Sequence, residues 1–433
     1  MALKVSADKT RSLIILLLAL VALKGVFFTA MLPAWEGDDE TSYWADIRSV
    51  SGESQSFAGT SGTEHGRLYP VLAAPIYLGL RPLKLEHRLF AVRLLGVALM
   101  VVTVFLAFTS AKQLWPGSPF VQLGAALLVA FNPKLTFVMA SVSSDVLLIS
   151  LFSAFMVALT AFILRPTKLA GVAMTAIVIA GILTKKRFSI ALPILALAVL
   201  ALGIEWLLKT AFYEDQKSKV ITAAGVLAFA VWQFWPRLLG MIGSLSGRTT
   251  NAAFIFNRDA VALWAQPFWR TRMWRQFWGF FTWHGGIYFS NGIYRVLFWL
   301  TALAACGLAL RIYQASSATF SLAGDDKESG GGFGFSVRPP SFEEYRRSLA
   351  LALSGVAIGF TLTAVAAYEL SGSSALGRYL LIGVVPISLL SAAGLEAVLP
   401  ERARTAALLL LTAGLMFLNA LAVTAFLMPR FYS

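Results

Sequence analysis

Three consecutive carboxylates, Asp38, Asp39 and Glu40, follow directly on the first apolar run of the chain. Clustered acids beside an apolar run cost free energy unless they contact water, cations or a polar ligand. Asp39, Glu40 and Tyr43 fall within one helical turn, so a helix that begins near Asp38 would direct them towards one pocket. Asp39, or its neighbour Asp38, is then a candidate general base, with Glu40 as a second carboxylate. The structural alternative is acids that favour the first turn of a helix.

Basic residues form a second set of candidates, because several of them stand where later apolar runs begin. Residues 185–187 read Lys-Lys-Arg between two such runs, and Arg378 opens another. Clustered cations can hold a phosphate group, although contact with lipid headgroups is the plainer alternative. Asp145 is either a helix cap or another acid of the same cavity. The predicted substrate-binding residues are Tyr43, Arg67, Arg93, Asp145, Lys185, Lys186, Arg187, His284, Arg378 and Tyr379.

The composition is that of an all-α polytopic membrane protein. The chain has 433 residues, of which 58% are hydrophobic and 13% charged, with a mean hydropathy of +0.73. Its net charge of +14 is typical of the basic loops of membrane proteins and does not indicate nucleic-acid binding. About eleven apolar runs are long enough to be transmembrane helices: 12–32, 88–110, 118–133, 145–164, 168–184, 187–208, 219–236, 291–313, 349–371, 379–398 and 405–427.

The loops organise what we predict to be a single membrane domain, 1–433. Basic residues before the first run place the N-terminus in the cytoplasm, as expected for a multi-pass protein of a cell inner membrane. The first external loop, 33–87, carries the acidic motif and is predicted to form helices beside the membrane. The second, 237–290, is rich in Trp, Phe and Arg, as in an aromatic belt or a surface that stacks sugars. Segment 314–348 is predicted to be a flexible cytoplasmic loop.

Cofactor chemistry has little support in the sequence. The single Cys306 excludes a disulfide within the chain, and three scattered histidines do not suggest a haem or zinc site. No phosphate-binding loop motif is present, so ATP-driven transport is unsupported. Asp38, Asp39 and Asp145 could hold a divalent metal through oxygen ligands. Lys and Arg can supply the same positive charge, and we therefore predict no cofactor, with the metal as the alternative.

The segment Asp39-Glu40-Thr41-Ser42-Tyr43 resembles the Asp-Glu-x-x-Tyr signature of GT-C-fold membrane glycosyltransferases, in their protein-mannosyltransferase-like and aminoarabinose-transferase-like branches. A family of uncharacterised bacterial membrane proteins has a similar pattern, especially at 277–280 and 377–379. Further similarities follow in the same order along the chain, at Arg67-x-Tyr69-Pro70, Arg88 to Arg93, Asn132-Pro133, Ser144-Asp145, Thr184-Lys185, Phe277-Trp278-Gly279-Phe280 and Gly377-Arg378-Tyr379.

The resemblance implies a GT-C-like bundle and an inverting transfer of a sugar from a polyprenyl-phosphate donor at the external face of the membrane. By position, Asp39 matches the base, and Lys185, Arg93 and Arg378 match the phosphate side. Glu40 and Tyr43 match the donor or acceptor neighbourhood. The expected partners are the lipid-linked sugar, the bilayer and a glycan, lipid or protein acceptor. The alternatives are a transporter or flippase of a lipid-linked or anionic solute, and a catalytically silent subunit of a membrane assembly.

Overall fold

The protein is a bundle of helices in the computed structural model, which describes residues 7–53, 66–213, 258–281, 286–323, 334–337, 342–370 and 375–432. The α-helices are α1 Ala7–Met31, α2 Glu40–Val50, α3 Leu68–Gly79, α4 Leu85–Leu114, α5 Pro119–Ala130, α6 Pro133–Met139, α7 Ser144–Leu164, α8 Lys168–Thr184, α9 Ala191–Tyr213, α10 Arg258–Ala265, α11 Pro267–Trp278, α12 Asn291–Thr319, α13 Phe342–Leu370, α14 Val384–Val398, α15 Glu401–Leu421 and α16 Met428–Tyr432. Two short antiparallel pairs of strands accompany them, β1 Phe280–Phe281 with β2 Ile287–Tyr288 and β3 Phe320–Ala323 with β4 Gly334–Val337.

The predicted all-α polytopic membrane fold is confirmed. In the described part of the chain, eight helical segments are long and apolar enough to cross a membrane. The predicted span 118–133 is a pair of helices, α5 and α6, which are bent by 57° at a short break. The predicted span 168–184 is the shorter apolar helix α8. The predicted span 219–236 lies outside the described residues.

The described parts of the first loop, 33–53 and 66–87, contain helices α2 and α3, as predicted. Helix α3 packs against both α2 and α4. Aromatic side chains supply the contact: Trp44 lies edge-on to Tyr77, and Tyr43 lies edge-on to Tyr69. These rings are buried in a small apolar cluster of their own, beside the main core. The loop is therefore fixed to the bundle by burial of its aromatic face.

The two other loops are described in part. Of the predicted external loop 237–290, the structure describes α10, α11, β1 and β2. In the predicted loop 314–348, α12 continues to Thr319, β3 pairs with β4, and α13 already begins at Phe342. The side of the membrane on which each loop lies, and the flexibility of 314–348, stay predictions.

The break between α5 and α6 brings a polar segment into the core. Pro133 lacks an N–H group and begins α6, and the side chain of Asn132 caps that helix by accepting a hydrogen bond from the N–H of Leu135. All side chains from 133 to 144 are buried, although most of this segment lies between the predicted spans 118–133 and 145–164. This buried segment carries Lys134 into the part of the bundle where the acids of the first loop lie.

Candidate functional site

The acids of the first loop sit where the chain turns from α1 into α2. Asp39 has a left-handed backbone conformation, with φ 56° and ψ 18°, directly before the first residue of α2. Asp is one of the few residues with a side chain that tolerates this conformation. Its carboxylate does not cap α2 and instead pairs with Arg378. The turn thus directs Asp38 and Asp39 away from the helix that follows them.

Arg378 is the centre of the site, because its guanidinium faces three carboxylates from two distant parts of the chain. Its Nη1 lies 3.1 Å from Asp38 Oδ2. Its Nη2 pairs with Asp39 Oδ2. Its Nε lies 3.8 Å from Asp145 Oδ2. The planar fork of an arginine allows several carboxylates to share one cation in this way.

Two lysines complete the arrangement. Lys134 Nζ lies 2.6 Å from Asp38 Oδ2. Lys185 Nζ pairs with Asp145 Oδ1 and donates to the hydroxyl of Tyr43 at 2.8 Å. The six residues form an alternating network of three acids and three cations, which we call the charge cluster: Asp38, Asp39, Lys134, Asp145, Lys185 and Arg378.

The charge cluster is closed to solvent except at Asp39. Asp38 and Lys134 are each only 1% exposed. The side chain of Asp39 is 29% exposed, against 4% for that of its partner Arg378. An approaching ligand therefore meets Asp39 first, with the guanidinium directly behind it.

The electrostatics of the cluster favour the ionised forms of Asp38 and Lys185. Burial alone raises the pKa of Asp38, but the charges of Lys134 and Arg378 outweigh burial and hold this pKa below its ordinary value of 3.8. Burial lowers the pKa of Lys185, but Asp145 and Tyr43 outweigh it and hold the pKa above 10.5. Removal of any one of these buried charges would leave its partners without compensation, so we expect the stability of the six residues to be coupled.

Glu40 and Arg93 form a separate, fully buried pair. Arg93 Nε and Nη2 donate to the two carboxylate oxygens of Glu40 at 2.8 and 2.6 Å. The same guanidinium donates to the carbonyls of Leu32 and Pro33, and Glu40 accepts the N–H of Val142 at 2.9 Å. The polar groups of both side chains therefore already have hydrogen-bond partners within the protein. These contacts favour a structural role, in which the pair ties the turn after α1 to α4.

The backbone that carries Arg378 is held by α11. Gly377 donates its N–H to the side chain of Gln276 at 2.7 Å. A Cβ atom on Gly377 would lie 2.4 Å from Gln276 Cβ and 2.5 Å from the carbonyl oxygen of Met273. Only glycine permits this approach. The aromatic loop predicted from the sequence therefore contributes a brace behind the guanidinium.

The other predicted residues make contacts of their own. The guanidinium carbon of Arg187 lies 3.6 Å from the ring centre of Tyr379 and 4.4 Å from that of Tyr368. Arg67 is exposed at the start of α3, next to Gly66, which bonds to the Thr184 carbonyl.

Lys186 makes no ion pair within the described residues, and His284 lies outside them. In the part of the chain that the structure describes, no group of three or more His, Cys, Asp or Glu side chains is arranged to hold a metal ion. Lys134 is the residue of the charge cluster that the predicted set lacked. Its signal in the sequence is its position directly after Asn132-Pro133, a helix start inside an apolar run.

Comparison with known proteins adds one structural similarity. No family model and no curated protein matches the sequence. Among solved structures, the chain is similar to the oligosaccharyltransferase of Archaeoglobus fulgidus, crystallised with a tethered acceptor peptide that contains the NVT sequon. The TM-score is 0.49 at 12% identity, over 95% of this chain and 54% of that one. The chain thus spans about half the length of that structure, and similarity at this level assigns no family and no activity.

Proposed function

We propose that the chain is a GT-C-like membrane glycosyltransferase, which transfers a sugar from a polyprenyl-phosphate donor to an acceptor with inversion. One observation carries the proposal. Asp39 is the one partly exposed carboxylate of a buried network of acids and cations, and it lies directly after the first membrane span beside the guanidinium of Arg378. An accessible base next to a fixed cation is the pair of groups that this reaction needs.

The chemistry follows from the charges that the reaction develops. The acceptor hydroxyl gives its proton to Asp39 while its oxygen attacks the anomeric carbon of the sugar. The bond from that carbon to the phosphate oxygen breaks, and the polyprenyl phosphate leaves with the electron pair. Arg378, with Lys185 and Arg187 nearby, stabilises the negative charge on the leaving phosphate. Attack from the face opposite the phosphate inverts the anomeric centre.

Arg378 would couple donor binding to activation of the base. The carboxylate of Asp39 is paired with the guanidinium of Arg378. A donor phosphate that takes up the guanidinium would compete with Asp39 for it and release this carboxylate. Asp38 keeps Lys134 as a partner and Asp145 keeps Lys185, so the other two acids stay paired. Asp39 is therefore our choice of base over Asp38.

The remaining predicted residues are assigned more loosely. Tyr43, Arg67, Lys186, Tyr379 and His284 stay proposed substrate-binding residues. The donor would lie with its lipid along the helices, and the acceptor would be a glycan, a lipid or a protein. The external face, the inner membrane and the cytoplasmic N-terminus are parts of the same proposal, as is the absence of a cofactor.

The test is turnover of defined donors by purified protein in lipid nanodiscs. Short-chain polyprenyl-phosphate sugars are incubated with membrane extract as the source of acceptor, and mass spectrometry follows release of polyprenyl phosphate. We expect Asp39→Asn to lower the rate by at least about 100-fold, the usual worth of a general base. Asp259→Asn, at an exposed position in α10, is the matched control and should retain the rate. Full turnover by Asp39→Asn would remove this residue from the mechanism.

A transporter of a lipid-linked or anionic solute is the second candidate, favoured by the broken helix pair α5–α6, a feature typical of transporters. Proteoliposomes that contain a fluorescent polyprenyl-phosphate sugar, supplied with acceptor, distinguish the two functions. Movement of this lipid between leaflets without its conversion to polyprenyl phosphate would favour transport. Conversion to polyprenyl phosphate without movement would favour the transferase, and the absence of both movement and conversion would favour a silent subunit.

A further inference from the structure

Lys24 is a charged residue inside the first span, away from the charge cluster. It lies in α1 seven residues before Met31, in the segment Lys9–Met31 that is long and apolar enough to cross a membrane. A lysine at such a depth is costly unless it is paired or reaches the membrane surface. Its amine instead points inward, to the break between α5 and α6. The partners of the amine at this break must therefore compensate the cost of burying it.

The partners of the amine are neutral oxygens. Lys24 Nζ donates to the carbonyl of Ala130, to Thr136 Oγ1 at 2.8 Å and to Asn419 Oδ1 at 3.4 Å. The amine also lies 4.8 Å from the centre of the Phe131 ring. Within the described part of the chain, Lys24 forms no ion pair with a carboxylate. The three oxygens and the ring are thus all partners that an ammonium group can use.

The break explains why these oxygens are available. Helix α5 ends at Ala130, and the N–H of Leu135 bonds to the side chain of Asn132, so the carbonyls of Ala130 and Phe131 are not bonded by the next helical turn. Lys24 bonds to the carbonyl of Ala130, and the Asn419 side chain donates to that of Phe131 at 2.7 Å. In an apolar region each carbonyl left without a donor would cost free energy. The negative end of the α5 dipole also favours a cation here.

The same contacts reach the charge cluster through α6. Thr136, which bonds to Lys24, also donates to the carbonyl of Asn132 at 3.0 Å. Lys134 lies between these two residues in the first turn of α6 and contacts Asp38 at 2.6 Å. Helix α6 has only seven residues, so a shift of its first turn moves Lys134 with it. Two contacts therefore link Lys24 to Asp38 through α6: that of Lys24 with Thr136 and that of Lys134 with Asp38.

We propose that Lys24 is a positioning residue: a tethered cation that closes the break between α5 and α6 and thereby fixes Lys134 against Asp38. The proposal concerns the geometry of the charge cluster and does not depend on the transferase activity. It predicts that the positive charge at this position matters, beyond the volume of the side chain. It also predicts that loss of the charge is felt at Asp38, which Lys24 does not touch.

The first test measures the thermal unfolding of purified variants. Lys24→Arg should keep the melting temperature close to that of the wild type, whereas the neutral Lys24→Gln should lower it by roughly 5 °C or more. Lys24→Ala leaves a space that n-propylammonium fits. This cation should restore the melting temperature, and neutral n-propanol at the same concentration should not. Lys168→Met, which removes an exposed lysine, is the control and should change little.

The second test measures coupling to the site by a double-mutant cycle. If Lys24 positions Lys134, the loss in melting temperature for Lys24→Gln with Asp38→Asn will be smaller than the sum of the single losses. Lys24→Gln with Glu396→Gln, at the other end of the bundle, should be additive. A Lys24→Gln variant that melts like the wild type, or additivity with Asp38→Asn, would overturn the proposal. If Lys24→Ala does not fold, the Arg and Gln variants still decide it.

Discussion

Two clusters of ion pairs lie at opposite ends of α14 and differ in their contact with solvent. At one end is the charge cluster around Arg378, a residue in the 3₁₀ segment Gly377–Gly383 that precedes α14. At the other end, Glu396 in the last turn accepts from Arg311 at 3.2 Å and pairs with Arg404 at 3.5 Å. The side chains of Arg311 and Arg404 are 32% and 35% exposed, whereas that of Arg378 is 4% exposed.

The difference shows which ion pairs cost a membrane protein little free energy. The side chain of Glu396 is itself only 7% exposed, but Arg311 and Arg404 can be hydrated when the carboxylate is removed, so losing this pairing costs little. Arg378 and Lys134 have no such alternative, and the desolvation of six charged groups must be offset by close pairing. Buried ion pairs of this kind often bring little net stability, and one accessible acid beside them is what the proposed transferase would require.

Removal of Asp38 gives the largest expected contrast between the two ends. Asp38→Asn leaves Lys134 and Arg378 buried without their shared carboxylate, and we expect a loss of about 3–5 kcal/mol in stability. Glu396→Gln, in the half-exposed cluster, should cost about 1 kcal/mol or less. Thermal unfolding in one detergent measures both. Equal losses would mean that burial does not distinguish the clusters.

The Glu40–Arg93 pair sharpens the comparison, because it is buried but lacks an accessible member. Glu40→Gln breaks a bidentate contact and should cost about 3 kcal/mol in stability. The double variant with Arg93→Met should regain part of it, since no buried charge is left unpaired. Turnover per folded molecule should fall far less than with Asp39→Asn. A loss of turnover as deep as that of Asp39→Asn would restore Glu40 to the catalytic residues.

Gly377 offers a smaller effect on the side of the charge cluster alone. Gly377→Ala places a methyl group against the backbone of α11, and we expect a loss of about 1–3 kcal/mol in stability. Because the methyl pushes Arg378 out of register with its acids, turnover should fall as well. Gly355→Ala in α13 is the control, since a Cβ atom there meets nothing within 4 Å. An unchanged Gly377→Ala protein would show that α11 does not brace the site.

The smallest effect is expected from a change of pH between about 4 and 10, a range over which the contributions of Asp38 and Lys185 to stability should stay constant. The pKa of Asp38 is held low, so its contribution to stability is present above the ordinary carboxylate range and disappears only as pH falls through the lowered value. The pKa of Lys185 is held high, so its contribution is present below 10.5 and disappears as pH rises through the raised value. The melting temperatures of the wild type and Asp38→Asn should differ by a constant amount over this pH range and become equal in strong acid. If this difference instead disappeared with a midpoint near pH 6, the pKa of Asp38 would not be held low.

Much of the architecture could be predicted from hydropathy, because the thickness of a bilayer fixes the length of the apolar runs. The meeting of Asp38, Asp39, Asp145, Lys185 and Arg378 could also be anticipated, since each stands at the end of an apolar run. Charged groups at the ends of spans share one level of the membrane, and burial then forces them to pair. Their individual roles stay proposals.

The sequence was less informative inside and beside the spans. Lys134 seemed to belong to a loop, because a pattern of hydropathy does not distinguish a bent pair of helices from a span followed by a loop. Glu40 seemed equivalent to its neighbours, because spacing along a helix does not reveal a partner 53 residues away. Both features depend on contacts between distant segments, which local patterns do not encode.

The spacing of the charge cluster along the chain has a consequence for biosynthesis. Asp38, Asp39 and Asp145 emerge from the ribosome early, and the guanidinium that all three face belongs to residue 378. Until that late segment is translated, the nascent protein holds three acids with only two of their cations. The centre is therefore assembled only after residue 378 has been translated, and a product terminated before it would lack the cation that its three acids share.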